Sequence, residues 1–157
     1  MIPSIDKMRL VIQRVSSATV KLENKLVGSI NSGLLVLLGI ENGDDLTDVI
    51  WLVNKMLNLR IFNDSSGVMN LSLKQVAGEL MVISQFTLMA STKKGNRPSY
   101  IRAAKHEIAI PLYEQFVAMA EGGLGKQVAK GVFGAEMKVS LVNDGPLTLV
   151  INSKKRE

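Results

Sequence analysis

The sequence predicts one mixed α/β domain, rich in strands and with about two main helices, whose sheet forms a sandwich or a partly closed barrel. Strand-like stretches outnumber helical ones and do not alternate strictly with them, which argues against a doubly wound sheet. The length of 157 residues and the apolar content of 46% suit a single core. The longest apolar run, residues 33–40, is far shorter than the ~18–20 residues of a membrane-spanning helix.

The first part of the chain reads as strands and then a helix. Residues 11–22, which are rich in Val and Thr, and residues 26–30 predict two strands joined by a tight turn at Asn24-Lys25. The run over 33–40 predicts a strand buried on both faces. Asp44 and Asp45 then supply an N-cap for a helix. Its apolar positions repeat at helical spacing: Leu46, Val49, Ile50, Val53, Met56 and Leu57.

The second part mixes shorter elements. Residues 79–88 predict a central strand that ends in polar residues, and residues 91–99 predict a basic loop. Pro111 suits the first turn of a second helix, which Gly122-Gly123 would end. The other predicted strands cover residues 60–62, 127–133, 137–142 and 147–152.

The domain itself is expected to cover residues 8–152, because Met8 resembles a second start and residues 1–7 read as an N-terminal extension. Residues 153–157 read as a basic C-terminal tail. The N-terminus lacks the apolar stretch of a secretory signal, so we expect a cytoplasmic protein. Lys and Arg exceed Asp and Glu by 19 − 14 = 5, which suits a polyanionic partner that is bound partly through counterion release.

The residues that are missing limit the chemistry. The chain has no cysteine, and its one histidine, His106, cannot build a metal site alone and makes a poor triad base. We expect His106 to be an ordinary residue at the surface or beside a helix, and we expect no metal and no cofactor. An enzyme with this inventory must use hydroxyls, amides, backbone groups or the substrate itself. An aminoacyl ester, which is already activated and has a neighbouring ribose hydroxyl, suits such an enzyme.

Two motifs carry a family resemblance. The first is Ser84–Leu88 (SQFTL), followed by 94–99 (KGNRPS), and the second is Val142–Thr148 (VNDGPLT). Together they resemble the D-aminoacyl-tRNA deacylase family, whose signatures are SQFTL and N-x-G-P-x-T. Other stretches in the same order extend the resemblance over nearly everything from Met8 to Asn152.

The resemblance implies a homodimeric hydrolase that cleaves the ester bond of D-aminoacyl-tRNA. A cis Gly145–Pro146 pair of one subunit would enter the active site of the other. Its two carbonyl oxygens would hold the substrate's α-ammonium group and occupy the space that an L side chain needs. Glycine has no side chain to exclude, so the implied partners are tRNAs charged with D-amino acids or glycine, without DNA or a membrane.

The same resemblance assigns site residues. Ser84, Gln85 and Phe86 would stabilise the oxyanion through amide groups. Phe86 and Met137 would contact the terminal adenosine, and the loop residues Lys94 and Arg97 would contact phosphates.

Thr87 and Thr148 are the hydroxyls of the two motifs. A threonine nucleophile needs a base, and none is apparent in the sequence, so we favour water assisted by the ribose hydroxyl, with Thr148 positioning groups.

Plainer interpretations remain open at this stage. SQFTL and Met137 also suit core packing, NDGP suits an ordinary turn, and the basic loop suits a solvated hairpin. The rival functions are a non-catalytic RNA-binding module and an esterase for small D-amino acid esters. Met89, Ser91 and Asn152 depart from the family pattern, which leaves the role of those positions open.

Overall fold

The architecture comes from a computed structural model, which describes residues 8–157. Eight strands and two helices make up this part of the chain, and a 3₁₀ turn (Phe86–Met89) follows the sixth strand. The predicted extension over residues 1–7 lies outside the described residues. The elements are β1 (Arg9–Leu22), β2 (Lys25–Ile30), β3 (Gly33–Gly39), α1 (Leu46–Asn58), β4 (Phe62–Asn63), β5 (Met69–Leu71), β6 (Glu79–Ser84), α2 (His106–Leu124), β7 (Ala129–Lys130) and β8 (Lys138–Asn152).

The long strand β1 organises the main sheet. Its first half pairs antiparallel with β3 and its second half pairs antiparallel with β2, while β8 runs antiparallel along both halves. Beyond β3 the sheet continues with β6 and then β7, both parallel to their neighbours. Strand β2 also lies against β6 and β7, so the sheet curls back on itself and nearly closes into a barrel. The mixed, single-domain fold predicted from the sequence is confirmed.

Apolar residues fill both faces of this sheet. Both helices pack on one face over a core that includes Leu10, Val36 and the fully buried Phe116. A second cluster fills the inside of the curl and includes Val20, Leu35 and Met81. Strand β3 is therefore buried on both faces, as its unbroken apolar run predicts.

Helix α1 begins and ends close to its predicted limits. Asp45 is the N-cap, and its side chain accepts the Thr47 N–H at 3.0 Å. Asp48 completes a capping box by accepting the Asp45 N–H at 2.9 Å. The first hairpin turn is shifted by one residue, because Glu23 and Asn24 are the two residues with positive φ between the paired Leu22 and Lys25.

Helix α2 differs from its predicted limits. It begins at His106, so Pro111 lies in its sixth position and not in its first turn. The carbonyl of Lys105 accepts the Ile108 and Ala109 N–H groups, which starts the helix before the proline. The helix passes through both predicted stop glycines and ends at Leu124, with Gly125 as its C-cap at φ of 78°.

Several predicted strands also change length. The strand predicted over 79–88 ends at Ser84, and the next residues turn as a 3₁₀ helix. The strand over 127–133 shrinks to Ala129–Lys130, and that over 60–62 becomes Phe62–Asn63 paired with β5. The last two predicted strands belong to one strand, β8. Neither helix in the described part of the chain combines the length and apolar character that a membrane span requires.

Candidate active site

A cavity of about 480 Å³ lies beyond the C-terminal ends of the parallel strands β3 and β6. The carboxyl ends of parallel strands are a common place for ligand sites in α/β proteins. Ser84, Gln85 and Phe86 line one side, so the first motif forms part of the cavity wall. No lining residue is Asp, Glu, Lys or Arg, and the walls are mostly apolar. They are completed by Leu38, Ile40, Ile83, Tyr100, Ala103, Ala104, His106, Ala109, Phe133, Gly134, Ala135, Met137 and Val139.

The turn after β6 positions the first motif. The Gln85 N–H donates to the Leu38 carbonyl at 2.8 Å, which ties the motif to β3 and occupies that amide. The turn then packs closely on Gly39, where an added Cβ would lie 2.8 Å from Met89 Cε and 2.9 Å from Leu88 Cβ. The first amides of a helical turn have no acceptor within that turn. The amides of Phe86 and Thr87 therefore suit an oxyanion better than that of Gln85.

Aromatic rings form two walls of the cavity. Phe86 is 56% exposed, and its ring meets that of Tyr100 edge to face at 5.0 Å between centroids. On the other side, His106 meets Phe133 at 5.4 Å in the same manner. Such walls suit a planar apolar ring, and an exposed phenylalanine beside a cavity is a surface on which a base can stack. Met137, half-buried, lines the same cavity.

His106 lines the cavity, a position that the sequence did not predict. It is exposed and begins α2, as an ordinary surface residue would, but its ring also lines the cavity. Its spacing from the motifs gave no signal, because the contact with Phe133 joins two segments that are distant in sequence.

The second motif forms a small excursion from β8. Gln13 pairs with Thr148 and Val15 with Asn143, so the four residues between, 144–147, leave the ladder. The Gly145–Pro146 peptide bond is cis, the geometry that the family resemblance implies. Both residues are exposed.

Two side chains hold this excursion. Asn143 Oδ1 accepts the Leu147 N–H at 2.7 Å, and Asn143 Nδ2 donates to the Leu147 carbonyl and to Thr148 Oγ1, both at 3.1 Å. Arg14 Nε donates to the Asp144 carbonyl at 2.8 Å, and Arg14 Nη1 donates to the Ile61 carbonyl at 2.6 Å. A charged donor to a backbone carbonyl is a strong hydrogen bond, so the loop has little freedom.

The excursion does not reach the cavity of its own chain. Leu38, which lines the cavity, pairs with Leu10 of β1, whereas the excursion lies beside Gln13 to Val15. At about 3.3 Å per residue the two places are on the order of 15 Å apart along β1. Neither Gly145 nor Pro146 lines the cavity.

The two threonines are therefore separated as well. Gln85 Nε2 donates to Thr87 Oγ1 beside the cavity, whereas Thr148 lies beside the excursion as an acceptor for Asn143. Each hydroxyl contacts an amide, which is no base for a nucleophile. Lys94 and Arg97 lie on the exposed loop that the Ser91–Ser99 bridge closes, outside the cavity.

Two buried ionisable groups support the strands that form the cavity. Asp44 Oδ2 accepts the Glu41 N–H at 2.6 Å just after β3, and burial raises the pKa of Asp44 to about 7. Tyr113 donates its hydroxyl to the Val82 carbonyl at 2.8 Å, and burial raises its pKa to about 12. Tyr113 thus ties α2 to β6, the strand that leads to Ser84. Within residues 8–157, no three His, Asp or Glu side chains are grouped as metal ligands.

Comparisons with known proteins identify the family. The sequence model of the family described as D-Tyr-tRNA(Tyr) deacylase matches residues 11–152. The chain belongs to that family. The D-aminoacyl-tRNA deacylase of Flavobacterium psychrophilum is 59% identical over 150 residues, which cover 96% of this chain and 100% of the relative. The protein of the same name from Bacteroides thetaiotaomicron is 56% identical over the same length.

Solved structures agree on the fold. One titled c-Myc DNA Unwinding Element Binding Protein superposes with a TM-score of 0.86 at 35% identity and covers 92% of this chain and 97% of that chain. A probable eukaryotic D-amino acid tRNA deacylase superposes with a TM-score of 0.81 at 17% identity and covers 93% and 99%, which shows the shared fold. These comparisons confirm the family that the two motifs predicted and its class of enzyme, a deacylase that acts on an ester bond.

Proposed function

We propose that this protein hydrolyses the ester bond of D-aminoacyl-tRNA and releases the free D-amino acid and tRNA. The apolar cavity lined by Phe86 and Met137 suits the terminal adenosine, and its neighbouring polar end at Ser84 and Gln85 suits the ester. Glycyl-tRNA is a second substrate in this proposal, since glycine lacks a side chain to exclude. A tRNA substrate also places the enzyme in the cytoplasm.

The chemistry relies on groups that the chain and the substrate supply together. Amides of the turn at Phe86 and Thr87 stabilise the oxyanion, which is commonly a large term in acyl transfer. Water attacks the ester with help from the ribose hydroxyl next to it. Thr87 stays a hydrogen-bond acceptor for Gln85, and Thr148 helps Asn143 to shape the excursion. Lys94 and Arg97, on their exposed loop, contact phosphates of the tRNA.

Chirality is read by the backbone of a second subunit. The single observation that carries this part of the proposal is the position of Gly145–Pro146, exposed, held by Arg14 and outside the cavity of its own chain. A two-fold dimer lets each excursion enter the partner's cavity. There the two carbonyl oxygens hold the α-ammonium group and leave no room for an L side chain.

The test compares hydrolysis of D-Tyr-tRNA, L-Tyr-tRNA and glycyl-tRNA by the purified chain. We expect rapid loss of the D ester and the glycyl ester while the L ester persists. Equal rates for the D and L esters would reject the chiral selector and leave an esterase. No hydrolysis of any ester would favour an RNA-binding module instead. Full resistance of glycyl-tRNA alone would contradict selection by exclusion of the side chain.

A further inference from the structure

The C-terminal residues 153–157 are anchored on α1. Ser153 is 1% exposed, and its hydroxyl donates to Asp48 Oδ1 at 2.7 Å. Just before it, Asn152 Oδ1 accepts the N–H groups of Lys154 and Lys155, each at 3.0 Å. These two anchors direct the basic residues that follow along the helix, although the side chains themselves remain exposed.

A groove of about 610 Å³ runs beside this segment on the outer side of α1. The guanidinium of Arg156 lies over the Trp51 ring at 4.2 Å from its centroid, and Lys55 Nζ lies over the same ring at 5.4 Å. Arg60 also lines the groove. We call Lys55, Arg60, Lys155 and Arg156 the basic strip.

The basic strip begins close to the candidate active site. Lys155 lines a small depression together with Arg9 of β1. Arg9 Nη1 in turn donates at 3.1 Å to the carbonyl of Leu88, in the turn whose first residue, Phe86, lines the cavity. The strip therefore leads from the turn at the cavity toward the outer side of α1.

The charge and the aromatic ring of this surface together favour a duplex phosphate backbone. The lining of the groove includes cations and no Asp or Glu, and the carboxylate of Glu157 lies 3.8 Å from Lys155 Nζ. Trp51 is covered by cations and is therefore a poor platform for base stacking. Exposed cations along a groove suit phosphates, which position a nucleic acid without reading its sequence.

We propose that the basic strip binds the phosphate backbone of the tRNA duplex that adjoins the 3′ end in the cavity. This inference rests on the proposed function and adds to it a second surface for the substrate. The exposed loop around Lys94 and Arg97 contacts phosphates at a separate place, because it belongs to a different segment and does not line the groove.

Charge-reversal variants test the strip from two independent sides. One is Lys155→Glu/Arg156→Glu, and the other is Lys55→Glu/Arg60→Glu, which keeps the test valid if the C-terminal segment of the first variant detaches. The control with equal charge change is Lys21→Glu/Lys25→Glu, at exposed positions of the β1–β2 hairpin. Each is measured on D-Tyr-tRNA and on the D-tyrosyl ester of adenosine, which has no phosphate.

For D-Tyr-tRNA we expect kcat/KM of both strip variants to fall by about 10-fold at low salt. The fall should come from a higher KM, with kcat unchanged. The slope of log kcat/KM against log salt concentration should become shallower by about 2, one for each phosphate contact removed. The adenosine ester should be cleaved at the wild-type rate by all three variants.

Three results would overturn the inference while leaving the proposed function intact. They are wild-type KM in both strip variants, an equal loss in the hairpin control, and weaker binding to an unrelated DNA duplex with unchanged tRNA kinetics. Failure of the wild-type chain to cleave either ester would overturn the proposed function itself, and the strip with it.

Discussion

The cavity and the Gly145–Pro146 excursion are built on the same sheet in opposite ways. The cavity follows the ends of two parallel strands, and its lining comes from segments spread over a hundred residues. The excursion is four residues that leave one strand, held by Arg14 and Asn143. The cavity can enclose part of a ligand between its side chains, whereas the excursion exposes mainly its backbone to solvent.

This difference separates two tasks that an enzyme usually combines. Binding and ester chemistry belong to the cavity in the proposed function, and the choice between D and L belongs to the excursion of a partner subunit. A rigid backbone suits the second task because it has no rotamers to move aside for the wrong substrate. The two regions can therefore be disabled one at a time.

Complementation gives the largest expected effect. Gly145→Ala places a Cβ 2.8 Å from the Leu147 nitrogen and 3.0 Å from Arg14 Nη2, at φ of 151°, so the excursion must shift. A misplacement of about 1 Å costs on the order of 100-fold in rate, and we expect that loss on D-Tyr-tRNA. Gln85→Ala/Phe86→Ala disables the cavity instead. Refolding both variants as a mixture should restore about a quarter of the wild-type rate, because half of the dimers then hold one intact shared site.

The control for complementation is each variant refolded alone, together with Asp144→Ala at an exposed position of the excursion. Each single population should stay inactive and the Asp144 variant should keep its activity. A mixture no more active than its components would show that each site is formed by one chain.

A substitution at Asp44 is expected to change the stability of the fold beneath the cavity and not the chemistry in it. Burial raises its pKa from 3.8 to about 7, so the folded state binds this proton more tightly than the unfolded state does. The resulting stability is present below pH 4 and is lost as the pH rises through 7. In urea unfolding, Asp44→Asn should therefore gain stability relative to the wild type between pH 4 and 8, by up to about 4 kcal/mol.

Asp45→Asn is the matched control, one residue along the chain. Hydrogen bonds from Thr47 lower the pKa of Asp45, so its contribution is lost as the pH falls and not as it rises. The same pH trend in both variants would contradict the assignment of the effect to the burial of Asp44.

Much of this frame was predictable because its signals are local. The capping residues and apolar spacing of α1 and the apolar run of β3 are short-range patterns, and the structure keeps both. The family motifs located Ser84 to Phe86, which the structure places in the cavity.

The structure differs from the sequence-based predictions where contacts between residues far apart in the chain determine the local conformation. Residues 86–88 read as the end of a strand, but they belong to a 3₁₀ turn, in which Leu88 and Met89 pack closely on Gly39 of the neighbouring strand. His106 meets Phe133 at the cavity that both residues line, and Ser153 is anchored by Asp48, 105 residues earlier. No local pattern carries such information.

A substitution at Arg14 should affect the excursion without affecting the cavity. Arg14→Ala removes two hydrogen bonds to carbonyls, at Asp144 and Ile61, and frees the excursion while leaving the cavity lining unchanged. We expect the D-to-L rate ratio to fall by about 10-fold, and the stability by about 1–2 kcal/mol, since charged hydrogen bonds are worth roughly that much. Competing D- and L-Tyr-tRNA in one assay measures the ratio. An Arg14→Lys variant that behaves like Arg14→Ala would confirm that both bonds are needed; an unchanged ratio in Arg14→Ala would show that Arg14 does not hold the selector.

Thr87 gives the smallest expected effect. Its hydroxyl accepts from Gln85 and contacts no base, so Thr87→Ala should change kcat on D-Tyr-tRNA by less than about 2-fold. The check is rapid-quench kinetics with mass spectrometry of the enzyme. An acyl group found on Thr87 would reject the water mechanism.

The excursion that holds Gly145 and Pro146 presents peptide carbonyls, which neither gain nor lose a proton in the physiological range. In the proposed role, its accuracy then depends on shape alone. Affinity for tRNA should fall as the salt concentration in the cell rises, while the ratio of the D and L hydrolysis rates stays constant. Under osmotic stress that raises the salt concentration, the enzyme would hydrolyse D-aminoacyl-tRNA more slowly without losing its preference for the D ester.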